Sequence, residues 1–150
     1  MKRIIISAFT AISFAIVATA SASDCIANSP TELQSKFEQA FKAKNNTALL
    51  SLFNWSGIEP SLEGQLRKEY SNLSLNKNSI YSELKDPNIA IREANSMNFY
   101  LNVTPIKTLY FERSYGSKID PLNKTAGNLG IGKVGSCYLF SNYTKTKLAN

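Results

Sequence analysis

Apolar residues recur at the spacing of a helix shortly after the chain becomes polar. The stretch Ser29-Pro30-Thr31-Glu32 precedes them, with a hydroxyl that caps helices, a proline suited to the first helical position and a carboxylate three residues after the cap. The pattern predicts an amphipathic helix that ends near Asn45. Its buried stripe is expected to contain Leu33, Phe37, Ala40 and Phe41.

Two further helices are predicted before residue 78. The second is short, begins after a cap at Asn46 or Thr47, and is closed by Trp55 and Gly57. Pro60 opens the third, because proline is favoured at the first position of a helix. The apolar positions are Leu49, Leu50, Leu52 and Phe53 in the second helix, and Leu62, Leu66, Tyr70 and Leu73 in the third.

Short extended runs replace the helical spacing after Asn78. Leu109 and Phe111 alternate with polar neighbours, so they are expected to share one face of a strand. Pro105 cannot donate a ladder hydrogen bond and marks an edge, a bulge or a bend. The predicted strands cover residues 79–84, 89–93, 98–103, 106–113 and 133–145, with a turn at 86–88 and a polar loop at 114–128.

The glycine-rich stretch GNLGIGKVGSC, residues 127–137, resembles two nucleotide-binding motifs. Its glycines fit most of a phosphate-binding loop, and Gly130, Gly132 and Gly135 fit the dinucleotide fingerprint. Both motifs require a buried strand before the glycines and a helix after them. Here a polar loop precedes the glycines, strand-like residues follow, and Val134 replaces the Ser or Thr of a phosphate loop. We therefore predict no nucleotide binding and interpret the glycines as a turn that leads into the last strand.

Helices followed by strands predict an α+β fold, with three N-terminal helices packed on a curved antiparallel sheet of about four to five strands. Segments 37–67, 100–110 and 132–138 resemble small exported bacterial proteins of unknown function, placed loosely with the nuclear-transport-factor-two-like, cone-shaped fold. The resemblance covers most of the mature chain and implies no activity. Enzymes of that fold often use Asp–His pairs inside the cone, and this chain contains no histidine.

Residues 1–22 are predicted to be a secretory signal peptide, and residues 23–150 a single domain. Two basic residues precede an apolar run over residues 4–17, which is shorter than the ~20 residues of a membrane span. Small residues then allow cleavage before Ser21 or Ser23, of which we favour the second. An uncleaved anchor is the alternative. The mature protein is expected to be periplasmic or secreted, with no transmembrane segment.

The chain has two cysteines, Cys25 and Cys137, which pair in one way within a molecule. Outside the cytoplasm thiols oxidise, so a disulfide between them is predicted, and two separate buried thiols are the alternative. Two cysteines without histidine cannot make the usual zinc ligand sets, so no metal site is predicted.

Basic residues concentrate in the last third of the chain. Loss of the signal peptide removes Lys2 and Arg3 and lowers the formal charge from +6 to +4. A basic face on an exported protein attracts anionic polymers, although lysines scattered among Asn, Ser and Thr are also typical of a solvated surface. The candidate basic face consists of Lys107, Arg113, Lys133, Lys145 and Lys147.

Without histidine, acid–base chemistry would require a carboxylate, Tyr or Lys. Glu112 is the best candidate, because it shares a strand face with Tyr110 and Thr108. If Leu109 and Phe111 face the core, Glu112 is instead exposed to solvent. We assign no catalytic residue and no cofactor.

An aromatic pocket between the helices and the concave face of the sheet is the working hypothesis for function. A lone tryptophan beside a turn either walls such a pocket or belongs to the core. The predicted function is a non-enzymatic exported domain that binds a small molecule or a protein. The alternatives are a binding module for anionic cell-envelope polymers through the basic face, and a carboxylate-dependent enzyme. The candidate pocket residues are Phe41, Trp55, Tyr70 and Tyr100.

Overall fold

The computed structural model describes residues 25–147, and the predicted signal peptide lies outside these residues. Within the described range the chain forms four helices and six strands. The helices are α1 (Pro30–Lys42), α2 (Asn46–Ser51), α3 (Pro60–Ser71) and α4 (Asn88–Ser96). The strands are β1 (Ser79–Lys85), β2 (Tyr100–Leu101), β3 (Pro105–Ser114), β4 (Thr125–Val134), β5 (Cys137–Phe140) and β6 (Tyr143–Thr144).

The helix starts follow the predicted capping chemistry. Ser29 Oγ accepts a hydrogen bond from the backbone N–H of Glu32 at 3.1 Å, and the Glu32 carboxylate accepts one from the backbone N–H of Asn28 at 2.8 Å. The cap of α2 is Asn45, just before the predicted position, and its side chain accepts from the backbone N–H of Ala48. Such caps satisfy N–H groups that have no partner inside a helix.

Four strands form a curled antiparallel sheet in the order β1-β3-β4-β5, and β2 pairs with β6 in a separate two-stranded sheet. The architecture is therefore the predicted α+β. Pro105 pairs with Gly132, whereas the next pair is Lys107 with Ile131, so the register shifts at the start of β3. Of the three outcomes predicted for Pro105, the structure shows a bulge.

The two faces of the sheet carry different helices. Leu109 and Phe111 are buried on the face of α1, where the Phe37 ring lies 5.4 Å from the Phe111 ring between centroids. Thr108 lies on the other face, and its hydroxyl accepts a hydrogen bond from the backbone N–H of Ala90 in α4 at 3.2 Å. Because successive strand residues point to opposite faces, α1 and α4 lie on opposite sides of β3.

Aromatic side chains fill the space between α1 and the sheet. The Phe140 ring centroid lies 5.5 Å from that of Phe37 and 5.2 Å from that of Phe53. Full burial of such a side chain contributes about 1.5–3 kcal/mol to stability. Replacement of Phe37 by alanine should cost about 3–5 kcal/mol, because it also leaves a cavity.

The prediction of a strand over residues 89–93 is wrong, because these residues belong to α4. Ala90 and Ala94 are both buried and lie four residues apart, a helical spacing that the predicted strand missed because it ended at residue 93. The predicted turn at residues 86–88 begins this helix, since the Asp86 side chain accepts a hydrogen bond from the backbone N–H of Asn88 at 2.8 Å. The strand predicted over residues 98–103 shrinks to the two residues of β2.

The C-terminal boundaries also differ from the prediction. The polar loop predicted over residues 114–128 ends earlier, because β4 begins at Thr125. The single strand predicted over residues 133–145 is three segments, namely the end of β4, then β5, then β6. Gly135, with φ of +61°, lies in the turn between β4 and β5, a conformation that glycine adopts without strain.

The other glycines of the motif lie inside β4, so their interpretation as a turn is wrong. A Cβ atom on Gly127 would lie 2.6 Å from Cζ of Phe111, and one on Gly132 would lie 2.1 Å from Cγ1 of Val103. Glycine is therefore required where another part of the chain packs directly on the strand backbone. Within β4, these glycines allow close packing on the strand backbone.

The predicted disulfide joins Cys25 to Cys137, whose Cα atoms lie 5.2 Å apart. Beside it, the buried Ala27 accepts a hydrogen bond at its carbonyl from the backbone N–H of Tyr138 at 2.9 Å. The bridge and this hydrogen bond hold the start of the described chain along β5. Within residues 25–147, no helix is long and apolar enough to cross a membrane.

Candidate functional site

The four aromatic residues predicted to line one pocket lie in different parts of the fold. Phe41 is 1% exposed at the end of α1, and Tyr70 is 5% exposed and stacks on Phe53 with ring centroids 4.2 Å apart. The half-buried Trp55 lies on the same stack, 6.1 Å from Tyr70 between centroids. Tyr100 is 44% exposed in β2. The structure therefore brings Trp55 and Tyr70 together and separates both from Phe41 and Tyr100.

Trp55 covers the aromatic stack, and its indole nitrogen already donates a hydrogen bond within the protein. Its indole N–H donates to the carbonyl oxygen of Leu50 at 2.9 Å. The Arg67 guanidinium lies 3.9 Å above the ring centroid, which is the geometry of a cation–π contact. These contacts hold Trp55 in place between α2 and α3, as expected of a partly buried tryptophan.

The candidate basic residues divide into one half-buried arginine and four exposed lysines. Arg113 donates hydrogen bonds to the carbonyl oxygen of Leu73 at 2.5 Å and to Oγ1 of Thr125 at 3.0 Å. Burial lowers the pKa of its guanidinium, although the group stays charged at neutral pH. Arg113 therefore bonds the chain just after α3 and is not part of an exposed face. The exposed members are Lys107, Lys133, Lys145 and Lys147.

Glu112 lies on the sheet face away from α1, as predicted, but it is not simply exposed to solvent. Its carboxylate accepts hydrogen bonds from Lys124 Nζ at 2.6 Å and from the Tyr110 hydroxyl at 2.5 Å. The hydrogen bond from Lys124 and then that from Tyr110 lower the pKa of Glu112. Thr108, its neighbour on this face, is buried beneath α4. A charged carboxylate with two partners is poorly suited to proton transfer at neutral pH.

A groove of about 260 Å³ separates α3 from α4 and reaches the core. Leu62 and Leu66, one helical turn apart on α3, form its buried apolar side. Phe99 and Tyr143 form its aromatic side, with ring centroids 5.8 Å apart. We call this cavity the acidic groove, because its lining includes two carboxylates, Glu69 from α3 and Glu93 from α4.

Among the described residues, no lysine or arginine lines the acidic groove. Within residues 25–147, neither Glu69 nor Glu93 forms a salt bridge. Glu93 accepts a hydrogen bond from the side-chain amide of Asn128 at 2.8 Å, which fixes its position. The more distant charge of Arg113 acts on Glu69. Glu93 is therefore the less compensated of the two.

Two phenols lie in the electrostatic field of these carboxylates. Burial raises the pKa of the Tyr143 phenol, and the charges of Glu93 and Glu69 raise it further. Burial also raises the pKa of Tyr70, with smaller contributions from Tyr143, Glu69 and Glu93. Both phenols stay protonated at neutral pH. The Tyr70 hydroxyl is buried and has no hydrogen-bond partner among the described residues.

The acidic groove combines features that recognise an organic cation. Carboxylates attract the charge, aromatic faces stabilise it, and the leucine side chains accept an apolar body. Within the described residues, no group of three or more His, Cys, Asp or Glu side chains gathers as a metal site would require. The arrangement is suited to binding.

Sequence reasoning missed most of the acidic groove. Glu93 stood in a predicted strand, so the sequence did not show that it and Met97, one helical turn later, line the same groove. In the sequence, Glu69 looks like an ordinary exposed helix residue. Tyr143 looks like an ordinary strand residue. Recognition of α4 from its i, i+4 alanines is the one signal that would have placed Glu93 on a helix face.

Comparisons of the chain with protein-family models, with curated proteins and with solved structures find no match. The site is therefore defined by the geometry of the described residues.

Proposed function

We propose that the protein is an exported, non-enzymatic binding domain that captures a small organic cation in the acidic groove. The observation that carries this proposal is the pair of carboxylates without a salt bridge in the described chain, set beside an aromatic and aliphatic wall. This local negative charge contrasts with the net positive charge of the whole sequence. Glu69 is exposed and Glu93 is half-buried, so a cation that enters the groove is attracted by both charges.

The expected ligand has an ammonium group and a short apolar body. The ammonium donates to Glu93, whose orientation the Asn128 amide already fixes. The apolar body lies between Leu66 and the Tyr143 ring. Because the Glu93 side chain is already held in place, less conformational entropy is lost when a ligand binds it.

Export is supported by the N-terminal pattern and by the bridge. Two basic residues, an apolar run and small residues are typical of a cleaved signal peptide. The Cys25–Cys137 disulfide suits the oxidising space outside the cytoplasm. The proposed location is therefore the periplasm or the external medium.

The cone-shaped, nuclear-transport-factor-two-like fold also remains our proposal. It is supported by a curled sheet that carries α1 on one face and by aromatic residues packed between them. In this interpretation the acidic groove corresponds to an opening beside the filled interior.

Calorimetric titration with phenethylammonium tests the function, and phenylethanol is the uncharged control of similar shape. We expect the ammonium compound to bind at least about tenfold more tightly, since a hydrogen bond to a charged group contributes about 1.5–3 kcal/mol. Glu93→Gln should remove most of that difference while it keeps the side-chain shape.

Glu63→Gln is the matched control variant. It removes the same charge from α3, where Glu63 pairs with Arg67 at 2.7 Å and does not line the groove. Equal affinity for the two compounds, or an equal loss of affinity in both variants, would contradict the proposal.

A further inference from the structure

We infer a second binding site, for a carboxylate-bearing glycan chain, along residues 102–104. Two cavities of about 350 and 450 Å³ border this segment and share Asn102, Val103 and Thr104 in their linings. We call the segment the ridge. Two adjoining cavities that share one segment fit an elongated ligand better than a compact one.

Each of the two cavities beside the ridge is lined by one lysine and by no described acidic residue. Lys147 lines the first cavity and Lys133 the second, and no described residue that lines either cavity is Asp or Glu. Within residues 25–147, neither lysine forms a salt bridge. The site therefore has the opposite charge from the acidic groove and favours anionic groups.

The surface around the ridge also suits the rings and hydroxyls of a sugar chain. Tyr100, 44% exposed, borders the first cavity and offers an aromatic face, and Ile106, 45% exposed, borders the second. Asn95 and Thr104 have exposed side chains that make no hydrogen bond within the described residues. These groups are free to bond ligand hydroxyls.

A partly buried network of hydrogen bonds from the Asn102 side chain holds the ridge in place. The Asn102 side chain donates to the carbonyl oxygens of Asn54 at 2.8 Å and Ser56 at 2.9 Å, and it accepts from the backbone N–H of Asn142 at 2.7 Å. The Val103 carbonyl oxygen accepts from the Ser141 hydroxyl at 2.9 Å. The ridge is therefore formed before a ligand arrives, which reduces the entropy cost of binding.

Titration with hexagalacturonate tests this site, with maltohexaose as the neutral chain of equal length. We expect only the acidic chain to bind measurably, with an affinity that falls as salt is added. Lys133→Gln and Lys147→Gln should each weaken binding by about threefold to fivefold, the range of an exposed ion pair. Tyr100→Ala should weaken it without a change in the salt dependence.

Lys68→Gln is the matched control, because Lys68 is an exposed lysine of α3 that lines neither cavity. An equal loss in Lys68→Gln would show attraction by net charge alone and overturn the site. Binding of maltohexaose as tight as that of hexagalacturonate would do the same. Preference for a single-stranded oligonucleotide over hexagalacturonate, with the same lysine dependence, would overturn the glycan assignment.

Discussion

Gly132 lies against Val103 so closely that a Cβ atom on residue 132 would be 2.1 Å from Val103 Cγ1 and 2.9 Å from the carbonyl oxygen of Thr104. The strand backbone of β4 is thus the surface on which the ridge rests. A glycine that looked like part of a nucleotide motif instead permits two backbone segments to touch.

Gly132→Ala should lower the free energy of unfolding by about 3 kcal/mol, the upper end of the overpacking range, because backbone as well as a side chain must move. Urea denaturation measures the change. Hexagalacturonate binding should weaken in the same variant, since the ridge is displaced.

Gly64→Ala is the opposite case and the control. Gly64 lies inside α3 with no heavy atom within 4 Å of an added Cβ atom. Alanine there should raise stability by about 0.5–1 kcal/mol, because glycine is unfavourable within a helix. A loss of stability in Gly64→Ala, or none in Gly132→Ala, would contradict the packing account.

The start of α1 was predictable because its signals are local. Ser29, Pro30 and Glu32 lie within one helical turn and bond each other or their neighbours, so the sequence window contains the whole cause. α4 was not predictable from a short apolar run, because Ala90 and Ala94 are small residues whose burial depends on the sheet beneath them. Tertiary packing decides such helices.

The disulfide should supply a large part of the stability. Cys25 and Cys137 are separated by 112 positions, and closure of a loop of roughly 100 residues contributes about 4.7 kcal/mol in the chain-entropy model. The double variant Cys25→Ala, Cys137→Ala should lose about this amount in urea denaturation. Reductant should destabilise the natural protein to the same extent.

The same double variant is also the control for the reductant. Its unfolding midpoint should not move when reductant is added, because it has no bridge to break. A natural protein that is equally stable with and without reductant would show that the bridge does not restrain the unfolded chain.

Tyr70→Phe should stabilise the protein by about 1 kcal/mol. The Tyr70 hydroxyl is buried without a hydrogen-bond partner among the described residues, and an unsatisfied buried polar group costs about 1–3 kcal/mol. Phenylalanine keeps the stack on Phe53, whose ring centroid lies 4.2 Å away. Thermal and urea denaturation both measure the gain.

Tyr70→Ala provides the comparison, because it removes the ring as well as the hydroxyl and should cost about 3–5 kcal/mol. If Tyr70→Phe destabilises the protein, the hydroxyl has a bonding partner, such as a buried water, in solution.

The candidate site was less predictable than the fold, because its residues come from distant parts of the chain. Glu69, Glu93 and Tyr143 meet only after α3, α4 and β6 have packed. No local spacing relates them. By contrast, the Cys25–Cys137 pairing followed from a count of two cysteines, which leaves one way to pair within a molecule.

Glu59 should make stability depend on pH on the acid side. Its carboxylate holds the C-terminal segment by accepting hydrogen bonds from the backbone N–H of Lys145 at 3.1 Å and the hydroxyl groups of Thr144 at 3.2 Å and Thr146 at 3.3 Å. The hydrogen bond from the backbone N–H of Glu59 itself lowers the pKa of the Glu59 carboxyl most. Together with the hydrogen bonds from these other donors, it brings that pKa below the ordinary value of 4.5.

A carboxyl whose pKa is lower in the folded state binds fewer protons there than in the unfolded state, so stability rises with pH across this range. The contribution of Glu59 is complete above its unfolded pKa and is lost as the pH falls through its folded pKa. Glu59→Gln should therefore lose less stability than the natural protein between about pH 5 and about pH 3. Carbon-13 NMR of the Glu59 carboxyl should give a titration midpoint below 4.5. A midpoint at or above that value, or an unchanged acid dependence in Glu59→Gln, would show that these hydrogen bonds do not favour the charged carboxylate.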